Sequence, residues 1–179
     1  MPKLSKTEES LLKGPEVFFQ NSTKPVGAKL STIIANAPHI YFIGMGSSYH
    51  AALWANAFYK LHTKKNSEAL TTYDALLRME QEQMSMPNGT VVVLFSQRGD
   101  SGLSAKIIDA LALDKNLTGI LITAEQSKTR GLPALFTSPP ETSQAHTISL
   151  FGALGCATAL LDSSQKYVSD VRALSLLLV

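Results

Sequence analysis

TVVVLFSQRGDS, residues 90–101, decides how this chain folds. Its three consecutive valines, followed by leucine and phenylalanine, favour a strand, because β-branched and aromatic side chains pack well on a pleated surface. The run is apolar throughout rather than alternating, as a strand covered on both faces should be. Asn88-Gly89 before it and Arg98-Gly99 after it supply turns. HIYFIGMGSSYHA, residues 39–51, repeats the plan: an apolar run, a turn rich in glycine and serine, then a helical segment. Two such units argue for parallel strands joined by helical crossovers, with both faces of the sheet covered.

The rest of the chain fits around these two units. Leu11, Leu12, Phe18 and Phe19 at helical spacing predict a helix over 7–20, and a second is expected over 27–36, before Pro38. The strand at 39–44 leads to a helix over 47–61. A weaker, edge-type strand is expected over 68–73, then a helix through Leu76, Leu77 and Met79 ending near residue 83. Beyond the valine-rich strand come a helix over 101–113, strands over 117–123 and 134–136, and a helix over 143–161. The fold class predicted is α/β: a three-layer, doubly wound, five-stranded parallel sheet with the flavodoxin-like order 2-1-3-4-5. Residues 1–36 are expected to be N-terminal helices packed on the domain, and 37–165 the domain itself. Residues 166–179 are expected to form an apolar tail, either a dimer contact or a truncated continuation.

Composition narrows the function. With 179 residues, 45% of them hydrophobic, the chain suits one domain or slightly more and buries roughly 70% of its unfolded surface without a staple. Its one cysteine, Cys156, excludes an internal disulfide, and among alanine, glycine and leucine it reads as a packed small hydrophobe. Sixteen Lys and Arg against fourteen Asp and Glu leave a net charge of +2, too slight for a nucleic-acid footprint. The longest nearly apolar stretch, 150–161, falls short of the ~20 residues of a membrane span. MPKLSKTEESLLKG lacks the apolar core and cleavage site of a secretory signal, so a cytoplasmic setting is expected. No two histidines have zinc-motif spacing, and no metal is predicted. Trp54 and Phe58, four apart, suit core or subunit contact.

In doubly wound sheets the ligand sits beyond the carboxyl ends of the strands where their order reverses. That places the candidate site at residues 44–51 and 96–101. Gly44 and Gly46 allow close backbone approach, and the hydroxyls of Ser47 and Ser48 stand at a helix start, a turn suited to an anion. It is not a dinucleotide fingerprint, since Tyr49 occupies the third glycine position, and no cofactor is expected. The second loop adds Ser96, Gln97, Gly99 and Ser101, the last well placed as a helix N-cap. A phosphate monoester, with about −1.5 to −2 charges, would meet helix amino ends, serine hydroxyls and Arg98 there. The alternative is that these serines only cap helices.

These residues also carry a family resemblance. GMGSSYHA at 44–51 with VVVLFSQRGDS at 91–101 resembles the sugar isomerase (SIS, phosphosugar-binding) domain, found in the isomerase half of glucosamine-phosphate synthase and in related sugar-phosphate isomerases and deglycases. The resemblance runs from about residue 39 to 161 and loosens towards its end. Against the family's Ser-x-Ser-Gly-x-Thr/Ser loop, Ser96, Gly99 and Ser101 match and Arg98 replaces the middle serine. The resemblance implies an open-chain sugar phosphate as ligand, with Ser96, Gln97 and Ser101 on the phosphate and Ser47 and Ser48 on the sugar; Gly46 and Gly99 are expected among the substrate-binding residues. Arg98 either pairs bidentately with the phosphate or fills the pocket.

Aldose–ketose isomerisation moves a proton between C1 and C2, which requires a positioned base and acid. The resemblance points to Glu141 and His146, before and inside the last helix, where the family pattern is Glu-x-x-x-x-Ser-x-Lys. His146 stands in the place of its serine and Ile148 in that of its lysine. On their own, Glu141 is equally a helix-start charge and His146 a partly exposed helix residue. His50 is read as structural. Family members carry two tandem copies or share sites between subunits, which implies a homodimer or tetramer here. Three readings follow: an isomerase or deglycase; a phosphosugar-binding module without chemistry, regulatory or half of a two-domain enzyme; and an unrelated flavodoxin-like domain whose serines only cap helices.

Overall fold

The structure is a computed structural model that describes residues 5–80, 86–99, 102–137, 147–162 and 166–170. Helix α1 (Lys6–Ser22) begins at a capping box, in which the Ser5 hydroxyl accepts from the Glu8 amide and the Glu8 carboxylate accepts from the Ser5 amide. Helix α2 (Ala28–Asn36) ends before Pro38. The chain then alternates: β1 (Ile40–Gly44), α3 (Ser47–Thr63), β2 (Ser67–Thr71), α4 (Thr72–Glu80), β3 (Val91–Phe95), α5 (Gly102–Leu113), β4 (Thr118–Thr123), β5 (Ala134–Phe136) and α6 (Thr147–Leu161). The five strands are all parallel, in the order β2-β1-β3-β4-β5. That is the predicted fold and strand order.

Strand side chains point alternately to the two faces of a sheet, which here divides the core in two. Ile40, Phe42, Val91, Val93, Ile120 and Ile122 face α2, α3 and α6. Tyr41, Ile43, Val92, Leu94 and Leu121 face α4 and α5, meeting Ala75, Ile107 and Ile108. β1 and β3 are buried at every position, which explains why their sequences show no polar alternation.

One feature departs from the sequence reading and one adds detail to it. The strand expected over 68–73 stops at Thr71, because that side chain caps α4. Thr71 Oγ1 accepts from the Asp74 amide at 3.1 Å and donates to the Asp74 carboxylate at 2.6 Å, so the helix starts at Thr72. α1 also lies very close against α6: a Cβ on Gly155 would stand 2.5 Å from the carbonyl oxygen of Phe18. Cys156, beside that crossing, is buried, and desolvation pushes its thiol up to about 12. Phe58 is buried and stacks on Trp54 with ring centroids 4.9 Å apart. The ends expected for the fourth and last helices, residues 81–83 and 143–146, lie outside the described residues, as does most of the expected tail. Among the described residues no helix is long and apolar enough to cross a membrane.

Candidate functional site

β1 and β3 are neighbours in the sheet, with Ile43 beside Leu94. The chain leaves β1 towards β2 on one side and leaves β3 towards β4 on the other. The two following loops therefore diverge and open a crevice at the carboxyl edge of the sheet.

The first loop turns at Gly46, whose φ of +59° and ψ of −129° belong to a region open essentially to glycine. Lacking a side chain, Gly46 leaves the 17-residue α3 without a side-chain cap, so the positive end of its dipole is available at the cleft edge. Ser47 and Ser48 follow directly, and their hydroxyls have no hydrogen-bond partner among the described residues.

The second loop is braced internally. The Ser96 hydroxyl accepts from the Gly99 amide at 3.2 Å. Gly99 itself has φ +68°, and a Cβ there would lie 2.6 Å from the Lys128 carbonyl oxygen. The Gln97 carbonyl accepts from Ala124 N, Thr123 Oγ1 and Ser127 Oγ, which ties the loop to the end of β4. Arg98, between these braced residues, is exposed and pairs with no carboxylate among the described residues.

The loops enclose a cleft of about 360 Å³, lined among others by Ser47, Ser48, Ser96, Gln97, Arg98 and Ser104. That is within the size range of small-molecule sites. Arg98 lines the opening and does not fill it. Deeper in, a pocket of about 20 Å³ continues between Thr123, Thr137, Ser149 and Ala153, room for roughly one water. Gln97 Nε2 donates to Ser149 Oγ at 2.6 Å, so the second loop is joined to α6 beside this inner pocket.

The structure thus brings Ser47, Ser48, Ser96, Gln97 and Arg98 to one cleft, with Gly46 and Gly99 holding the backbone beneath them. Ser101, Glu141 and His146 lie outside the described residues. Sequence reasoning missed Ser104, Thr123, Thr137 and Ser149. Thr123 ends a central strand and was accessible to the same strand-end rule, whereas Ser149 reaches the site only because α6 folds back over the β3 loop. A second groove of about 350 Å³, lined by Met79, Met86, Leu113 and Leu117, lies near the amino end of β4. It offers neither a cation nor a hydroxyl.

Comparison with known proteins agrees with this architecture. The SIS domain family matches residues 33–153, and the chain belongs to that family. Similar solved structures include the C-terminal domain of glucosamine-fructose-6-phosphate aminotransferase from Francisella tularensis, with a TM-score of 0.73 and 14% identity over 96% of this chain and 53% of that one. Tagatose-6-phosphate ketose/aldose isomerase from Escherichia coli gives 0.72 and 17%, over 92% and 51% respectively. The Vibrio vulnificus NanR protein complexed with ManNAc-6P gives 0.67 and 20%, over 93% and 65%. The chain therefore spans about half the length of the first two, and at these identities the likeness is one of fold. No curated protein matches the chain by sequence.

Proposed function

We propose that this chain binds a sugar phosphate, with the phosphate in the outer cleft and the sugar directed towards Ser47 and Ser48. The observation that carries the reading is the meeting in one cleft of a guanidinium and two hydroxyls that have no partner among the described residues with the start of α3, which has no side-chain cap. Arg98 supplies one positive charge, and the amino ends of α3 and α5 supply about half a charge each. Together they balance the −1.5 to −2 charges of a phosphate monoester. A thermal-shift screen of hexose, pentose and hexosamine phosphates tests the reading. A ligand at 100 times its Kd adds ~2.7 kcal/mol, a rise of about 5–10 °C for a chain of this size. A folded sample that shifts with none of them refutes it.

Catalysis, as aldose–ketose isomerisation or deglycation by proton transfer, belongs in this reading to Glu141 and His146. A binding module without chemistry is the second reading, and one observation favours it. Similar folds occur in the NanR protein complexed with ManNAc-6P and in the sugar isomerase domain of an RpiR transcription factor. The two readings are separated by deuterium incorporation at C2 in the same samples. Exchange that disappears in Glu141→Gln identifies an enzyme; none in the parent protein identifies a binder. In the catalytic reading a second copy of the domain, in tandem or in a partner subunit, completes the site.

A further inference from the structure

We infer that Lys24, in the link between α1 and α2, is a positioning residue for the sugar end of the site. The inference rests on the binding reading above. Lys24 lies ahead of the residues that match the SIS domain, yet its ammonium reaches 112 residues along the chain. It donates to the carbonyl of Phe136 at 2.7 Å and to that of Thr137 at 3.0 Å.

The first of these carbonyls ends β5 and the second follows it directly; β5 is a three-residue strand at the sheet edge with partly exposed side chains. Thr137 is the wall of the inner pocket at this point. Its amide donates to the Thr123 carbonyl at 2.8 Å, and its Cβ stands where a side chain on Gly152 of α6 would clash, at 2.9 Å. The wall is therefore gripped from three sides, by β4, by α6 and by Lys24. Of the three, Lys24 alone lies ahead of the residues that match the SIS domain, and it holds both carbonyls through charge-assisted hydrogen bonds. Removing it lets the end of β5 move and reshapes the inner pocket, which Ser47 and Ser48 also line, and so disturbs the hydroxyls that meet the sugar, while Arg98 and the loop after β3 stay as they are.

The test compares Lys24→Met and Lys24→Arg with the parent protein, using inorganic phosphate and fructose 6-phosphate as probes. For Lys24→Met the Kd for fructose 6-phosphate is expected to rise about fivefold or more, the scale of one ordinary hydrogen bond, while that for inorganic phosphate moves less than about twofold. Lys24→Arg, whose guanidinium can serve both carbonyls, is expected to restore most of the loss. Hydrogen exchange at the Thr137 amide should speed up in Lys24→Met while the β3 amides keep their protection. Equal weakening of both probes, no weakening, or unaltered Thr137 exchange overturns the inference. A parent protein that binds inorganic phosphate but no sugar phosphate, or neither, defeats the binding reading instead, and the exchange measurement then still reports on Lys24 itself.

Discussion

Gly155→Leu is expected to lower stability by about 3 kcal/mol or more, the upper range for overpacking a core. In the folded chain α6 presents this position to the backbone of α1. The first added carbon would meet the Phe18 carbonyl oxygen at 2.5 Å and the Asn21 Cβ at 2.7 Å. Neither is the end of a flexible side chain, so relief requires the helices to separate. Separation would expose Cys156 and loosen the hydrogen bonds of the Asn21 region with it, since the Cys156 thiol donates to Asn21 Oδ1. For a chain of this size the change corresponds to a fall in Tm of roughly 6–12 °C. Ala112→Leu on the exposed side of α5 serves as the control, within about 0.5 kcal/mol of the parent. A Gly155→Leu variant as stable as the control would mean that α1 does not rest on α6 as described.

Arg98→Glu carries the largest expected effect on binding. The substitution removes an attraction to the phosphate and adds a repulsion. With each contributing on the order of 1.5 kcal/mol at a partly exposed site, the affinity for a sugar phosphate falls roughly 100-fold. Because Arg98 is exposed and has no carboxylate partner among the described residues, the stability of the unliganded protein should stay within about 0.5 kcal/mol of the parent. The difference between parent and variant should also narrow as salt is raised, since the Debye length shrinks to about 3 Å at 1 M. An Arg98→Glu variant that binds as well as the parent would place the phosphate away from the loop after β3.

The buried strands and their order were legible because their apolar runs have no competing explanation. Val91 to Phe95 and Ile40 to Gly44 are too short for core helices and too uniformly apolar for surface strands. The boundary at Thr71 was less legible, since a β-branched residue continues a strand as readily as it caps a helix, and the Asp74 carboxylate decided for the cap. At the site, the two loops could be read because each follows its strand directly. Ser149, Thr137 and Lys24 could not: each acts across 50 or more residues, through packing that no local pattern records. Arg98 posed a choice between ligand and plug. In the folded chain it is exposed and lines a cleft of about 360 Å³, a placement that no local pattern records.

The most direct measurement is a titration of the amide resonances of isotopically labelled protein with glucosamine 6-phosphate. The account predicts saturable shifts centred on Gly46, Ser47, Ser48, Gln97 and Arg98, with little change at Met79, Met86 and Leu113. Shifts centred on that methionine-lined groove, or no shifts at millimolar ligand in a folded sample, would contradict it.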